Sequence, residues 1–117
     1  MSDDKTARIR ELNDRFRALC EPVGDGSPLG KLVITSGIRA LGGNVIHEVL
    51  AAVANYQDFT ADNDPHGEHD FGSLEIAGQR IFFKIDYFDR SMKYHSRDAS
   101  DPAQTVRVMT VMLAEEY

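Results

Sequence analysis

The stretch FGSLEIAGQRIFFKIDYF, from Phe71 to Phe88, decides the fold of this chain. Apolar and polar residues alternate on both sides of Ala77-Gly78, a pattern typical of two strands joined by a tight turn. We therefore predict a β-hairpin with strands at Phe71–Ile76 and Arg80–Phe88. The apolar face of the second strand comprises Ile81, Phe83, Ile85 and Tyr87.

Two helices and one short strand are predicted before the hairpin. Apolar residues recur at helical spacing from about residue 4 to residue 20, and residues 31–35 read as a short buried strand. Asn44 is a suitable N-cap for a second helix that runs to about Tyr56. Residues 57–70 lose this periodicity and read as a long polar loop.

A third helix is predicted after the hairpin. Residues 89–100 form a second polar loop, after which Asp101 caps a helix with Pro102 at its first position. Val106, Met109 and Leu113 would lie along its core side. The predicted order is helix, strand, helix, hairpin, helix. This is a single α+β domain over residues 1–117, with a short three-stranded, mainly antiparallel sheet packed against helices.

Length and composition agree with this fold class. A chain of 117 residues with 42% apolar and 27% charged residues is ordinary for one globular domain. The longest apolar runs span only a few residues, so we expect no transmembrane helix and no signal peptide. The single cysteine, Cys20, cannot form an internal disulfide and favours a reducing, cytoplasmic location.

The net charge of −6 comes from one segment of the chain. No Lys or Arg occurs between Arg39 and Arg80. Such a one-signed segment repels phosphate and attracts metal cations or basic protein surfaces, so nucleic-acid binding is not expected. The acids of this segment are Glu48, Asp58, Asp62, Asp64, Glu68, Asp70 and Glu75. The arginines of the first helix, Arg8, Arg10, Arg15 and Arg17, are expected to form a solvated face.

The polar loop contains the densest group of ligand-capable side chains. As a calcium loop it fails, because Ser73 stands where the bidentate glutamate is required. Imidazole and carboxylate groups also suit zinc or other transition metals. We expect no cofactor, and a site for a divalent metal in this loop is the alternative. The candidate ligands are Asp62, Asp64, His66, Glu68 and His69. The alternatives are a loop fixed by side chain–backbone bonds and a contact surface for a partner.

No catalytic motif is present elsewhere in the sequence. The chain lacks a Gly-x-Ser-x-Gly elbow and a phosphate-binding glycine loop followed by Lys-Ser/Thr. Glu115 and Glu116 would place negative charge at the end of the last helix, where the helix dipole disfavours it. We expect these acids either to pair with an arginine such as Arg8 or Arg39 or to contact another protein.

Three stretches together resemble a known family. They are DNDPHGEHDFG (Asp62 to Gly72), KIDYFDR (Lys84 to Arg90) and RVMTVMLAEEY (Arg107 to Tyr117). They are similar to an uncharacterised bacterial family, domain of unknown function 3768. The resemblance implies a small alphaproteobacterial protein, often carried on plasmids and other mobile elements, and it implies no established activity.

These observations favour a non-enzymatic interaction protein that binds a basic protein surface. Its contact residues would be Asp58, Asp62, Asp64, Glu68, Asp70, Glu115 and Glu116. By analogy with the mobile-element setting, it would be an anti-defence or plasmid-maintenance factor. The alternative is a metal-dependent enzyme of the hydrolase or nuclease type that uses residues 62–70. A homodimer formed through Phe82 and Phe88 is a third possibility.

Overall fold

The computed structural model describes residues 2–19 and 29–117, which form a four-stranded sheet with helices packed on one face. The strands are β1 (Gly30–Ile34), β2 (Phe71–Ile76), β3 (Gln79–Phe88) and β4 (Val106–Leu113), and their order in the sheet is β1-β4-β3-β2. The helices are α1 (Ser2–Leu19), α2 (Ser36–Arg39) and α3 (Gly43–Ala54), and a 3₁₀ turn spans Ala114–Glu116. The prediction of an α+β architecture with helices packed on a sheet is confirmed.

The hairpin is where the sequence predicts it. β2 and β3 are antiparallel, and Ile76 pairs with Gln79 across a two-residue turn. Ala77 and Gly78 both have positive φ, 54° and 76°, as a type I′ turn requires. The alternation along β3 is also confirmed, because its four apolar side chains on one face are all buried: Ile81, Phe83, Ile85 and Tyr87.

The predicted C-terminal helix is wrong, because these residues form strand β4. Asp101 accepts a hydrogen bond from the Ala103 N–H at 2.9 Å, and the Gln104 N–H donates to the Asp101 carbonyl at 3.1 Å, so the cap closes a turn instead of a helix. From Val106 to Val111 burial alternates with period two, and Met112 is buried as well. Both faces of β4 are at least half covered, which explains why its apolar residues are nearly continuous.

The sheet also has one strand more than predicted, and it is mixed. β4 lies between β3, its antiparallel neighbour, and β1, its parallel neighbour. Gly30 pairs with Arg107 in the parallel ladder, and a Cβ at Gly30 would lie 1.9 Å from the Arg107 carbonyl oxygen. Only glycine allows the two backbones to approach this closely.

Helices α1 and α3 cover one face of the sheet. The helices and the sheet share one core, in which five side chains are almost fully buried: Leu12 and Phe16 of α1, Val49 and Val53 of α3, and Phe83 of β3. The N-cap of α3 is Gly42, not Asn44, which lies within the helix and is exposed. Cys20 and residues 21–28 lie outside the described residues. Within the described part of the chain, no helix is long and apolar enough to cross a membrane.

Candidate functional site

The segment from Asp58 to Asp70, hereafter the acidic loop, is fixed against helix α1. The Arg10 guanidinium donates to the Gly67 carbonyl at 3.0 Å, and the Asn13 side-chain amide donates to the Glu68 carbonyl at 2.9 Å. His69 Nδ1 lies 2.9 Å from Asp14 Oδ1. Three consecutive residues of the loop are therefore held by α1 side chains.

Asp64 organises the loop from inside. Its side chain is largely buried, and its Oδ1 accepts hydrogen bonds from the N–H groups of Glu68 and His69, both at 3.1 Å. Gly67 and His69 have positive φ values of 69° and 57°, which let the backbone curl around the carboxylate. Asp64 thus acts as a cap for its own loop.

Of the residues predicted as metal ligands, Asp64 and His69 lie together, with His69 Nε2 3.8 Å from Asp64 Oδ2, and the others are turned toward different neighbours. Glu68 Oε1 accepts the Tyr87 hydroxyl proton at 2.8 Å, and the His69 ring stacks on Phe59 with centroids 3.8 Å apart. Asp62 and His66 are exposed. Among the residues that the structure describes, no three His, Cys, Asp or Glu side chains are grouped so that they could hold a metal ion.

The acids available for contact are Asp58, Asp62 and Asp70. Asp58 and Asp62 are exposed, and their carboxylates have no cation or hydrogen-bond donor within the described ranges. Asp70 is half-buried, and its pKa is raised, first by burial and then by the negative charge of Glu68. The acidic loop therefore keeps unneutralised negative charge on a fixed backbone.

The two C-terminal acids lie elsewhere. Glu116 accepts hydrogen bonds from the Thr35 hydroxyl at 2.5 Å and from the N–H groups of Leu113 at 2.8 Å and Gly37 at 3.0 Å. The expected ion pair of Glu116 with Arg8 or Arg39 does not form, because this carboxylate joins the 3₁₀ turn to α2. Glu115 is exposed.

Glu116 and Glu68 are held at different places along the sheet. Leu113 is paired with Ile81 in the sheet, whereas Glu68 contacts Tyr87. Tyr87 lies six positions after Ile81 along β3, which corresponds to about 20 Å. The sheet thus separates Glu116 from Glu68, whereas Tyr117, the residue after Glu116, packs on Phe71, the residue after Asp70, with ring centroids 6.0 Å apart.

A buried polar network connects the sheet and helix α1 to the acidic loop. The Arg107 side chain is fully buried, and its Nε donates to Asn13 Oδ1 at 2.6 Å while its Nη2 donates to the Ala99 carbonyl at 2.7 Å. Asn13 in turn donates to the Tyr87 hydroxyl at 2.8 Å. Burial lowers the pKa of Arg107 and raises that of Tyr87. The network connects the core to Glu68, so the conformation of the loop depends on it.

A cleft of about 450 Å³ opens beside the acidic loop. Asp14, Arg17, Phe59 and His69 line it. Arg17 was expected on a solvated face, but its side chain is only 3% exposed, is paired with Asp14, and lies 5.1 Å from the Phe59 ring centroid. Its position four residues after Asn13 places it on the buried side of α1. This helical spacing is the signal that identifies both residues.

The two aromatic residues predicted for a homodimer lie on the sheet face opposite the core. Phe82 is half-buried because it packs against Phe71, with centroids 5.2 Å apart, and against Tyr117, with centroids 5.7 Å apart. Phe88 is also half-buried. The homodimer stays a prediction.

Comparison with known proteins adds a family and no activity. The profile of a family described as "Protein of unknown function (DUF3768)" matches residues 34–116. No curated protein and no solved structure matches this chain.

Proposed function

The chain belongs to the DUF3768 family of proteins of unknown function, and we propose that it is a non-enzymatic protein that binds a basic protein surface through its acidic loop. One observation carries the proposal: exposed, unneutralised carboxylates are presented on a loop that the fold holds in one conformation. Asp58 and Asp62 supply this charge.

A fixed loop favours binding because its ordering cost is paid during folding. The Thr60 N–H donates to Asn63 Oδ1 at 2.9 Å, and the Asn63 amide donates to the Asp58 carbonyl at 3.0 Å. These bonds hold the backbone that carries both exposed aspartates. A preorganised charged surface gains affinity from this rigidity and gains association rate from electrostatic steering.

Fewer residues are available for contact with a partner than the sequence indicates. Asp64 and Glu116 use their carboxylates within the fold, so substitution there would test folding more than binding. The Glu68 carboxylate bonds the Tyr87 hydroxyl and is also partly exposed at the surface. The contact set that we propose is Asp58, Asp62 and Asp70. An anti-defence or plasmid-maintenance role belongs to the same proposal and depends on which partner carries the basic surface.

The test is a quantitative pull-down with Asp58→Asn/Asp62→Asn. Untagged interacting proteins from a host lysate would be compared between wild type and this variant by mass spectrometry at low and high salt. We expect one basic protein to be recovered by wild type and depleted at least several-fold with the variant, and its recovery to fall with added salt.

The matched control is Asp4→Asn/Glu48→Gln, which removes the same charge from exposed positions on α1 and α3. We expect it to retain the partner. Equal recovery of all proteins by wild type and the loop variant, or equal losses with the loop variant and the control, would contradict a specific role of the acidic loop.

A further inference from the structure

A second surface has the opposite charge. Residues 90–97 read RSMKYHSR, with three Lys or Arg residues and no acid, in a protein whose net charge is −6. Arg90, Lys93 and Arg97 are exposed and form no ion pair within the described ranges. These cations are therefore free to bind an anion.

The loop that carries them is preorganised by its own acid. Asp89 Oδ1 accepts hydrogen bonds from the Ser91 hydroxyl at 2.7 Å and from the N–H groups of Lys93 at 3.3 Å and Tyr94 at 3.4 Å. The Ser91 hydroxyl bond and these N–H groups lower the pKa of Asp89. Because this carboxylate is directed at the loop itself, it does not pair with the neighbouring cations.

The end of the loop is anchored to the sheet. The Ser96 N–H donates to the Tyr87 carbonyl at 3.0 Å, and the Ser96 hydroxyl lies 2.7 Å from the Thr105 hydroxyl. His95 forms a β-bridge with Phe88. The backbone of this part of the loop is thus held at the end of the sheet.

A cleft of about 340 Å³ lies at this point. Arg90, His95 and Arg97 line it together with Tyr94, which is 70% exposed, and with Asp89, whose carboxylate is bonded to Ser91, Lys93 and Tyr94 of the same loop. The volume is within the range of about 300–1,000 Å³ that is usual for small-ligand sites. Guanidinium groups bind phosphate through paired hydrogen bonds, and an exposed tyrosine ring offers a face on which a nucleobase stacks.

We propose that this basic cleft binds a nucleotide, with Arg90 and Arg97 on the phosphate and Tyr94 stacked on the base. The same chemistry is presented by a free mononucleotide and by the phosphorylated end of a single strand. The overall charge of the protein argues against nucleic-acid binding, but the cations of this cleft are separate from the acidic segment in sequence and are not neutralised by it. The proposal does not depend on the function proposed for the acidic loop.

The test is a binding titration of the full chain with three probes: inorganic phosphate, dTMP, and a 5′-phosphorylated pentathymidylate. Binding would be followed by amide chemical shifts and by calorimetry at low salt. We expect dTMP or the oligonucleotide to bind at least tenfold more tightly than inorganic phosphate, with shifts confined to residues 89–97 and 103–104. Tighter binding of the oligonucleotide identifies a strand end as the ligand, and equal binding identifies a free nucleotide.

Two variants and one control complete the experiment. Tyr94→Ala removes the stacking face and is expected to weaken nucleotide binding by tenfold or more while leaving phosphate binding unchanged. Arg97→Gln is expected to weaken both and to reduce the salt dependence of binding. Arg39→Gln removes the same charge from an exposed position on α2 and is expected to change nothing. Absence of binding by wild type, an affinity for phosphate equal to that for both dTMP and the oligonucleotide, or equal losses with Arg39→Gln would overturn the proposal.

Discussion

At the scale of single residues, the least expected feature is a buried arginine without a carboxylate in direct contact. Arg107 has no exposed surface, and its guanidinium lies 5.2 Å from the Tyr87 ring centroid and bonds only neutral acceptors. The sequence around it, VRVMTV, gives no indication of this, because a charged residue between valines is typical of an exposed position. Burial of this charge depends on Asn13, whose place on α1 is known only once the helix and sheet are packed together.

We expect Asn13→Ala to destabilise the protein by about 2 kcal/mol or more, because it leaves the buried Arg107 Nε without its acceptor and the Tyr87 hydroxyl without a donor. Urea unfolding followed by circular dichroism measures the change. The control is Asn44→Ala, at an exposed position within α3, for which a change within about 0.5 kcal/mol is expected. If Asn44→Ala were as costly as Asn13→Ala, neither the network nor the position of the α3 cap would be as described.

At the scale of elements, local patterns predict the hairpin and the first helices, and they fail at β4. Val106, Met109 and Leu113 fit helical spacing, but the same segment contains four β-branched residues: Val106, Val108, Thr110 and Val111. A strand covered on both faces loses the simple alternation that identifies β3. The parallel pairing of β4 with β1 joins residues almost eighty positions apart, and no local pattern contains it.

The role of Glu116 differs between the predicted helix and the observed 3₁₀ turn. In a helix Glu116 would oppose the dipole, whereas here three donors hold it, and the Thr35 hydroxyl and the N–H groups of Leu113 and Gly37 lower its pKa below the ordinary value of 4.5. An acid with a lowered pKa in the folded state stabilises the fold above the unfolded pKa, and this contribution is lost as the pH falls through the lowered value.

We therefore expect Glu116→Gln to lower the melting temperature at pH 7, and we expect its difference from wild type to shrink as the pH falls below about 4.5. Thermal melts between pH 7 and pH 3 measure this. Glu115→Gln removes the same charge from the neighbouring exposed side chain and serves as the control. A deficit that is constant across the pH range would show that the carboxylate charge is not what joins the turn to α2.

At the scale of the whole molecule, the sequence shows where the charges lie along the chain but not which of them stay unpaired on the surface. Which acids of the segment without cations remain available for contact follows only from the tertiary contacts. Asp64 and Glu68 look equivalent to Asp62 in the sequence. In the structure, however, Asp64 caps the loop and Glu68 accepts a hydrogen bond from the Tyr87 hydroxyl. The basic cleft is visible in the sequence only as a run of cations without acids, because its opening is formed by segments that come together at the end of the sheet.

This distribution has a cost in stability that can be measured at Asp70. Burial and the charges of Glu68 and Asp64 raise its pKa above the ordinary value of 3.8, so the folded protein holds a proton at this carboxyl where the unfolded chain has lost it. The contribution of the Asp70 carboxyl group to the free energy of unfolding therefore falls as the pH rises from about 3.8 through the raised pKa, and it stays lower at neutral pH.

Asp70→Asn removes the charge with little change in shape, and we expect it to raise the urea midpoint at pH 7 and to have a diminishing effect as the pH approaches 3. The control Asp58→Asn, at an exposed position of the same loop, is expected to change stability by no more than about 0.5 kcal/mol. Because Asp70 also belongs to the proposed contact set, a variant that is more stable but binds its partner less well would show that the acidic loop retains this carboxylate for binding at the expense of the fold. A variant less stable than wild type at pH 7 would mean instead that the Asp70 carboxylate has a favourable partner in the fold.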